Sequence, residues 1–393
     1  MAKDELEIQS VGVIGGGQLA WMMAQGAKTL KLSLNIQTPN KDDPACAIAH
    51  KIILGPIAEV KTTAKLAADC DVITFENEFI DLPALKVLEA QGVVFYPQLD
   101  CLAPLLDKYD QRQYCDRIDL PSPPFATLHS QADRPQLTNK VNAVGLPLAL
   151  KTRRHGYDGQ GTFILKTKED VETTWQNLGY QPVLLEAFVA FKKELAVMVA
   201  RSRSGEVVVY PVVETEQLDQ VCRRVIAPAR ISASVAETVK KIATKFVNSL
   251  GVVGIFGIEL FLTEDDRVLI NEIAPRTHNS GHYTLDACAT SQFEQQLRAV
   301  SGRSLGAAAM TSPGAVMINL LGTEDTPAGQ ISEYQEQRAA IAAIPNAHFY
   351  WYGKTQSRIG RKLAHVTVTT DKPNDHTAIA DIIQCIESLW YES

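Results

Sequence analysis

Disulfide and zinc chemistry are the first things this sequence lacks the residues for. Its 393 residues hold seven cysteines (Cys46, Cys70, Cys101, Cys115, Cys222, Cys288 and Cys385), scattered, odd in number and without a C-x-x-C pair. That pattern excludes a disulfide framework and fits free thiols in a reducing compartment. Positive charge is also short. The formal net charge of −7 excludes a broad nucleic-acid surface, so any anion site must be local. No apolar run is long enough to span a bilayer, and Met-Ala-Lys-Asp-Glu-Leu-Glu at the start carries no signal-like apolar stretch. There is no internal repeat or low-complexity segment. The expectation is a soluble, cytoplasmic protein with no membrane partner. What remains is ordinary for a globular chain, 46% hydrophobic and 21% charged, with length for two or three domains.

The first hundred residues read as a small parallel α/β unit. Residues 11–14 form a buried strand, Gly15-Gly-Gly-Gln-Leu-Ala20 a G-x-G-x-x-A turn, then a helix to about Leu30 and a strand at 32–37. Glycines there let backbone N–H groups meet an anion at a helix N-terminus, or simply pack a tight strand–helix turn. A dinucleotide site also wants an acid after the second strand, and Asn35-Ile-Gln-Thr-Pro39 offers none, which disfavours a Rossmann oxidoreductase and leaves a phosphate. Strands at 51–54, 71–75 and 93–96 and helices near 60–69 and 82–91 complete the unit by about residue 105. Glu76-Asn-Glu78 lies at a strand's carboxyl end, where open α/β sheets place ligands.

A helix at 104–118 and the break Leu120-Pro-Ser-Pro-Pro124 lead into a second unit. At its centre two strands, 146–151 and 162–165, flank the polar glycine-rich turn Thr152–Gly161, with Lys151 at the strand end. Such a turn folds N–H groups over phosphates or is an ordinary hairpin loop. Glu186 and Glu194, on strands at 183–189 and 194–200, hydrogen-bond a nucleoside or are solvated; the residues alone favour the solvated reading. Ser234-Val-Ala-Glu237 reads as a capping box, and the helix behind it carries a core stripe from Val235 to Leu250 before Gly251.

The densest chemistry lies at 254–283. Gly254–Leu262 and Val268–Ile273 read as a hairpin. Centred between Asp265 and Asp266, it sets Leu262 against Leu269 and Glu259 against Glu272. Facing carboxylates repel, and burying them costs several kcal/mol each by rough estimate. Either they hold a divalent cation with Asn271 as a further oxygen ligand, or they face solvent or pair with lysines. Past Pro275 come Arg276, His278, Asn279, Ser280 and His282, a concentrated set of polar groups for a loop. After a helix near 292–300 and a strand at 316–321, the tail holds Lys354, Arg358, Arg361 and Lys362, four cations within nine residues. They are a solvated turn or a phosphate clamp. A strand at 363–368 and a helix at 376–389 close the chain.

Together GGGQL (Gly15–Leu19), KTRRHGYDGQG (Lys151–Gly161), NEIAPRTHNSGH (Asn271–His282), VMINLLG (Val316–Gly322) and GRK (Gly360–Lys362) resemble the N5-carboxyaminoimidazole ribonucleotide synthetases, a family of the ATP-grasp superfamily. The match runs in order over nearly the whole chain. NEIAPRTHNSGH is its specific part; the glycine-rich pieces are not.

The resemblance implies a multidomain α/β and α+β architecture. An N-terminal parallel α/β (pre-ATP-grasp) domain would span 1–105. An ATP-grasp domain would span 106–325, its mobile lid at about 120–188, and a small C-terminal domain 326–393. It implies that ATP phosphorylates bicarbonate to carboxyphosphate and that the amine of 5-aminoimidazole ribonucleotide is carboxylated, releasing ADP and phosphate, with Mg²⁺ or Mn²⁺ as the metal. Glu259 and Glu272 would hold the metal, with Asn271 beside them. Lys108 and Lys151 would face the ATP phosphates beneath a lid loop of Gly156, Tyr157, Asp158, Gly159, Gln160 and Gly161. Glu186, Ala187, Phe188 and Val189 would form the adenine-reading hinge, and Glu194 the ribose contact. Arg276, His278 and Asn279 would hold bicarbonate and carboxyphosphate. Gly17, Gln18, Leu19, Glu76, Tyr157, Asp158, Lys354, Arg361 and Lys362 would hold the ribonucleotide. The family precedent is a homodimer.

Four residues depart from the family pattern, besides Thr277, which varies within the specific signature. His155 replaces a glycine, Ala20-Trp21 replaces Gly-Arg, and Gln217 stands where many members carry histidine. The rivals are a formate-dependent glycinamide ribonucleotide transformylase, a biotin carboxylase and a non-catalytic nucleotide-binding protein on the same fold.

Overall fold

The computed structural model describes residues 8–154, 161–218, 220–327 and 334–391. Among them lie three sheets. The first is parallel, in the order β3-β2-β1-β4, from β1 (Ser10–Ile14), β2 (Ser33–Thr38), β3 (Lys51–Leu54) and β4 (Val72–Phe75). β1 and β4 are apolar on both faces because helices cover both, as parallel sheets require. The strand expected at 93–96 reduces to one parallel bridge, Ile73 to Phe95. Pro97 follows immediately, and proline cannot donate to a ladder.

The second sheet is antiparallel, β5-β8-β6-β7, from β5 (Phe125–Leu128), β6 (Leu148–Thr152), β7 (Thr162–Leu165) and β8 (Val183–Ala187). It has its own core, in which Trp175, Leu150 and Leu185 are fully buried. β6 and β7 form the expected hairpin.

The third sheet is the largest and is antiparallel. It contains β9 (Phe191–Arg201), β10 (Val207–Val209), β11 (Val213–Leu218), β12 (Val221–Ala227), β13 (Gly254–Thr263), β14 (Val268–Ala274), β15 (Gly314–Leu321), β16 (Ala347–Trp351) and β17 (Lys362–Thr370). The order is β14-β13-β9-β11-β12-β15-β17-β16, with β10 added to β9. One continuous sheet thus carries the Glu259/Glu272 hairpin at one end and the basic tail's strands at the other.

The helix Ala233–Leu250 covers this sheet. Val235, Val239, Ile242, Phe246 and Val247 lie buried at helical spacing, and Gly251 ends it in the left-handed region. Its cap is Ser232, whose hydroxyl accepts from the Val235 N–H at 3.3 Å, two residues before the expected Ser234 box. Among the described residues no helix is long and apolar enough to cross a membrane. All seven cysteines are unpaired.

Candidate active site

The hairpin register decides the centre of the site. Glu259 pairs with Glu272 as expected, but Leu260 pairs with Ile270 and Leu262 with Val268, not Leu269. The offset is a β-bulge, and Asn271 is the extra residue. A bulge brings a neighbouring side chain round to its partner's face. The Asn271 amide accordingly donates to Glu259 Oε2 at 3.3 Å. Its oxygen accepts from Lys151 Nζ at 3.1 Å. Glu272 meets Lys108 Nζ at 2.7 Å. Of the expected readings, the lysine pairing is present for Glu272.

Burial, with the charges of Glu272 and Glu194, pushes the Glu259 carboxyl up to about 7. For Glu272, burial opposes ionisation, yet Lys108 and Lys151 hold it below the usual carboxylate range. Among the described residues no group of three or more His, Cys, Asp or Glu is arranged to hold a metal alone. Two carboxylates and an amide oxygen fit instead a hard cation that keeps other oxygen ligands, as Mg²⁺ does on phosphates.

Lys151 and Glu186 belong to a buried network. Lys151 Nζ lies 2.6 Å from Glu186 Oε2, and Arg112 pairs with the other Glu186 oxygen while also donating to the Asn271 carbonyl. Burial would raise the Glu186 pKa, but Arg112 and Lys151 bring it down to about 2. Glu186 is 2% exposed, so it is neither solvated nor free for a nucleoside. The burial concerns its side chain alone; Glu186, Ala187, Phe188 and Val189, the segment expected to act by its backbone, all border the cavity. Glu194 is half-buried on the cavity wall, and burial raises its carboxyl to about 7.

The glycine turn meets a carboxylate of the chain itself. The Gly17 and Leu19 N–H groups donate to the Glu76 carboxylate at 2.7 and 3.1 Å, at the start of the helix Gln18–Leu30. The acid sits where a phosphate was expected. A Cβ on Gly17 would lie 2.4 Å from Glu76 Oε1, so the closeness of that carboxylate requires the glycine. Trp21 packs edge-on against Tyr352 with ring centroids 6.3 Å apart.

The loop after β14 is held from several sides. Arg276 Nε pairs with Glu78 Oε1 at 2.9 Å, tying the loop to the first sheet. His278 Nε2 lies 3.5 Å from Glu259 Oε1, and Asn279 exchanges amide hydrogen bonds with Asn319. Gln292 clamps the His278 backbone, accepting from its N–H at 2.9 Å and donating to its carbonyl at 2.7 Å. His282 lies in the core with Phe293 and His365, and its ring is held neutral well below the usual range by burial. Across the cavity Lys354 Nζ donates to the Lys362 carbonyl at 2.6 Å. Burial and Arg358 lower the Arg361 pKa.

A single cavity of about 1840 Å³ gathers these groups. It is bordered by Gly17, Gln18, Leu19, Glu76, Lys108, Lys151, Glu186–Val189, Glu194, Glu259, Asn271, Glu272, Arg276, His278, Asn279, Lys354, Arg361 and Lys362. Gly161 does not border it; its carbonyl accepts from the Thr152 N–H at 2.8 Å. Gly156, Tyr157, Asp158, Gly159 and Gln160, with His155, lie outside the described residues. Gln111, Arg112, Gln292 and Asn319 were not among the expected site residues, and Glu78 was singled out only by its place at a strand end. Gln292, Gln295 and Gln296 did carry a signal: three buried glutamines at i, i+3 and i+4, on the face that should be apolar.

Comparison with known proteins follows the same order along the chain. Residues 8–104 match the ribonucleotide synthetase preATP-grasp domain, 113–293 the ATP-grasp domain, and 315–378 the phosphoribosylaminoimidazole carboxylase C-terminal domain. The N5-carboxyaminoimidazole ribonucleotide synthase of Synechococcus elongatus is 54% identical over 361 residues, covering 92% of this chain and 89% of that protein. The chain belongs to the N5-carboxyaminoimidazole ribonucleotide synthase family. The Bacillus subtilis synthase is 36% identical, over 97% of this chain and 95% of its own.

Solved structures agree across the whole molecule. The ADP complex of an N5-carboxyaminoimidazole ribonucleotide synthetase superposes with a TM-score of 0.89 at 31% identity, covering 100% of this chain and 99% of that one. The Aspergillus clavatus enzyme, solved with ADP and 5-aminoimidazole ribonucleotide, gives 0.87 at 32% identity, over 97% of this chain and 98% of its own. The fold is therefore ATP-grasp, with a pre-ATP-grasp domain before it and the carboxylase C-terminal domain after it.

Proposed function

We propose that this chain is an ATP-dependent ligase that carboxylates 5-aminoimidazole ribonucleotide with bicarbonate, through carboxyphosphate, in purine biosynthesis. The observation that carries this reading is the single cavity. One wall lining holds the carboxylate pair and lysines, the Arg276–Asn279 loop, the glycine turn and the basic tail. A phosphate donor, a small carboxylate and an anionic acceptor would then meet in one space.

Phosphoryl and acyl-phosphate transfer of this kind needs positioning and charge neutralisation rather than a protein nucleophile. Lys108 and Lys151 would face the ATP phosphates. Glu259, Glu272 and Asn271 would hold Mg²⁺, which when bound supplies charge neutralisation at the phosphates. Glu186 to Val189 would read adenine by their backbone, and Glu194 would meet the ribose. Arg276, His278 and Asn279 would hold bicarbonate and the carboxyphosphate formed from it. Gly17, Gln18, Leu19, Glu76, Lys354, Arg361 and Lys362 would take the ribonucleotide. Since Glu76 already holds the glycine turn's amides, the phosphate falls to the basic tail.

The division at residues 105 and 325, with a lid at about 120–188, is proposed alongside. The separate core of the second sheet supports the lid, and the family match ending at 104 supports the first boundary; the C-terminal match begins at 315, ahead of the proposed 325. A cytoplasmic homodimer is proposed on the family resemblance. The test of the function is ADP release with ATP, bicarbonate, Mg²⁺ and 5-aminoimidazole ribonucleotide omitted in turn. Each omission should stop turnover. Stimulation by formate plus glycinamide ribonucleotide instead would overturn the assignment.

A further inference from the structure

Asn319 is a polar side chain in the middle of an otherwise apolar strand. β15 is buried along its whole length, Asn319 is 0% exposed, and its neighbours Ile318 and Leu320 are core residues. A buried amide is tolerated only with its hydrogen bonds made. Only one of those bonds goes to backbone: Asn319 Nδ2 donates to the Cys222 carbonyl at 2.9 Å. The other two go to one side chain. Asn319 Nδ2 donates to Asn279 Oδ1 at 2.7 Å, and Asn279 Nδ2 donates to Asn319 Oδ1 at 3.0 Å.

This arrangement has only one sense. A carbonyl can only accept, so the Asn319 edge facing Cys222 must be nitrogen. That choice makes the partner edges of Asn279 an oxygen opposite the Asn319 nitrogen and a nitrogen opposite its oxygen. Asn279 borders the cavity, and its Nδ2 keeps a second hydrogen outside the pair. With its amide turned over, Asn279 would set oxygen against oxygen and nitrogen against nitrogen within the pair.

We infer that Asn319 is a positioning residue for the carboxylation step: its amide fixes the orientation of Asn279, so that an N–H donor rather than an oxygen is offered to the bound carboxylate or carboxyphosphate. The inference rests on the reading of Asn279 as part of the bicarbonate site. The Cys222 carbonyl supplies the reference, which passes through Asn319 to Asn279. Donors preset for an oxyanion act without reorganising during the reaction, and a turned amide would lose that contribution.

The test is steady-state kinetics with bicarbonate and ATP varied separately, on N319D, N319S, N279A and the double variant N279A/N319D. Aspartate keeps the shape but cannot donate to Cys222 or Asn279. N319D should reduce kcat/KM for bicarbonate by about tenfold or more, with KM for ATP within about twofold of wild type. The double variant should be no worse for bicarbonate than N279A alone, because Asn319 acts through Asn279. If N319D does not fold by circular dichroism, N319S, which retains one donor, carries the same comparison. Wild-type bicarbonate kinetics in a folded N319D or N319S, or a double variant reduced by the product of the single losses, would overturn the inference. So would a lowered Tm with the ATP and bicarbonate constants moving together, the signature of a merely structural role. If N279A impairs bicarbonate use and N319D does not, the positioning role alone fails. If N279A leaves bicarbonate kinetics unchanged, the site reading fails and takes the inference with it.

Discussion

Asn271 lies outside the β13–β14 register yet donates its amide to Glu259 Oε2 at 3.3 Å. The bulge is what allows this contact. In a regular strand, adjacent residues point to opposite faces, so Asn271 and Glu272 could not both border the cavity. Deleting Asn271 would restore a regular ladder, with Glu272 still opposite Glu259 and Ile270 opposite Leu260, and would remove the amide that bridges Glu259 and Lys151. The expected outcome is loss of ATP turnover in a folded protein, read by ADP release and by circular dichroism. Turnover near wild type would show that the bulge has no catalytic purpose.

Glu272→Gln keeps the shape of the site and removes one charge of the facing pair. It should abolish ADP release while leaving the unfolding transition in place, since Glu272 is partly open to the cavity and its partner Lys108 can reach solvent. Activity close to that of the parent would mean the two glutamates do not form the metal site.

Arg112 and Glu186 form an ion pair in which each side chain is 2% exposed. Arg112→Met leaves the carboxylate with Lys151 as its remaining ion-pair partner and removes a donor to the Asn271 carbonyl. Removing one member of such a pair costs about 3 kcal/mol. Urea unfolding should show a loss of that order, and KM for ATP should rise as Lys151 is drawn toward Glu186. An unchanged midpoint would count against the network.

Gly257 sits beneath the loop that carries His278. A Cβ there would lie 2.5 Å from His278 Cβ and 2.8 Å from its Cγ. Gly257→Ala should therefore displace His278 from Glu259 and cut kcat, with a stability loss of about 1–3 kcal/mol from overpacking. Kinetics together with thermal unfolding separate the two effects.

His365 is fully buried, its pKa pushed down to about 3, and it shares a 2.8 Å hydrogen bond with Tyr352. Its folded pKa lies below the unfolded value, so the unfolded chain binds the proton first. The neutral ring's contribution is intact above the unfolded pKa of about 6.5 and is lost as pH falls from there toward 3. His365→Gln should reduce the slope of stability against pH by about 1.4 kcal/mol per unit in that window. Denaturant titrations at several pH values would show it, and an unaltered slope would contradict it.

The specific motif was legible because its chemistry is compressed into one stretch. Glu272 to His282 are near one another in the chain, and Glu259 is brought opposite by a short hairpin whose register can be counted. The counting failed by one residue past the bulge, since a bulge leaves no mark in the alternation of apolar residues. The glycine turn was legible as an anion site, but not its anion: Glu76 is 59 residues from Gly17. Arg112 and Glu186 are 74 apart, and Asn279 and Asn319 are 40 apart. No periodicity reports a partner at that distance.

By itself, then, the sequence determined the family, the order of its units, the facing glutamates and the loop that follows them, because motif spacing and strand alternation are local properties. Only the tertiary structure decided what each charge rests against. It set Glu186 in a buried ion-pair network rather than in solvent, gave the glycine turn to Glu76, and joined Asn279 to Asn319. Those outcomes depend on which strands lie side by side and on the desolvation that follows. Burial makes every polar group take whatever partner the fold brings within reach.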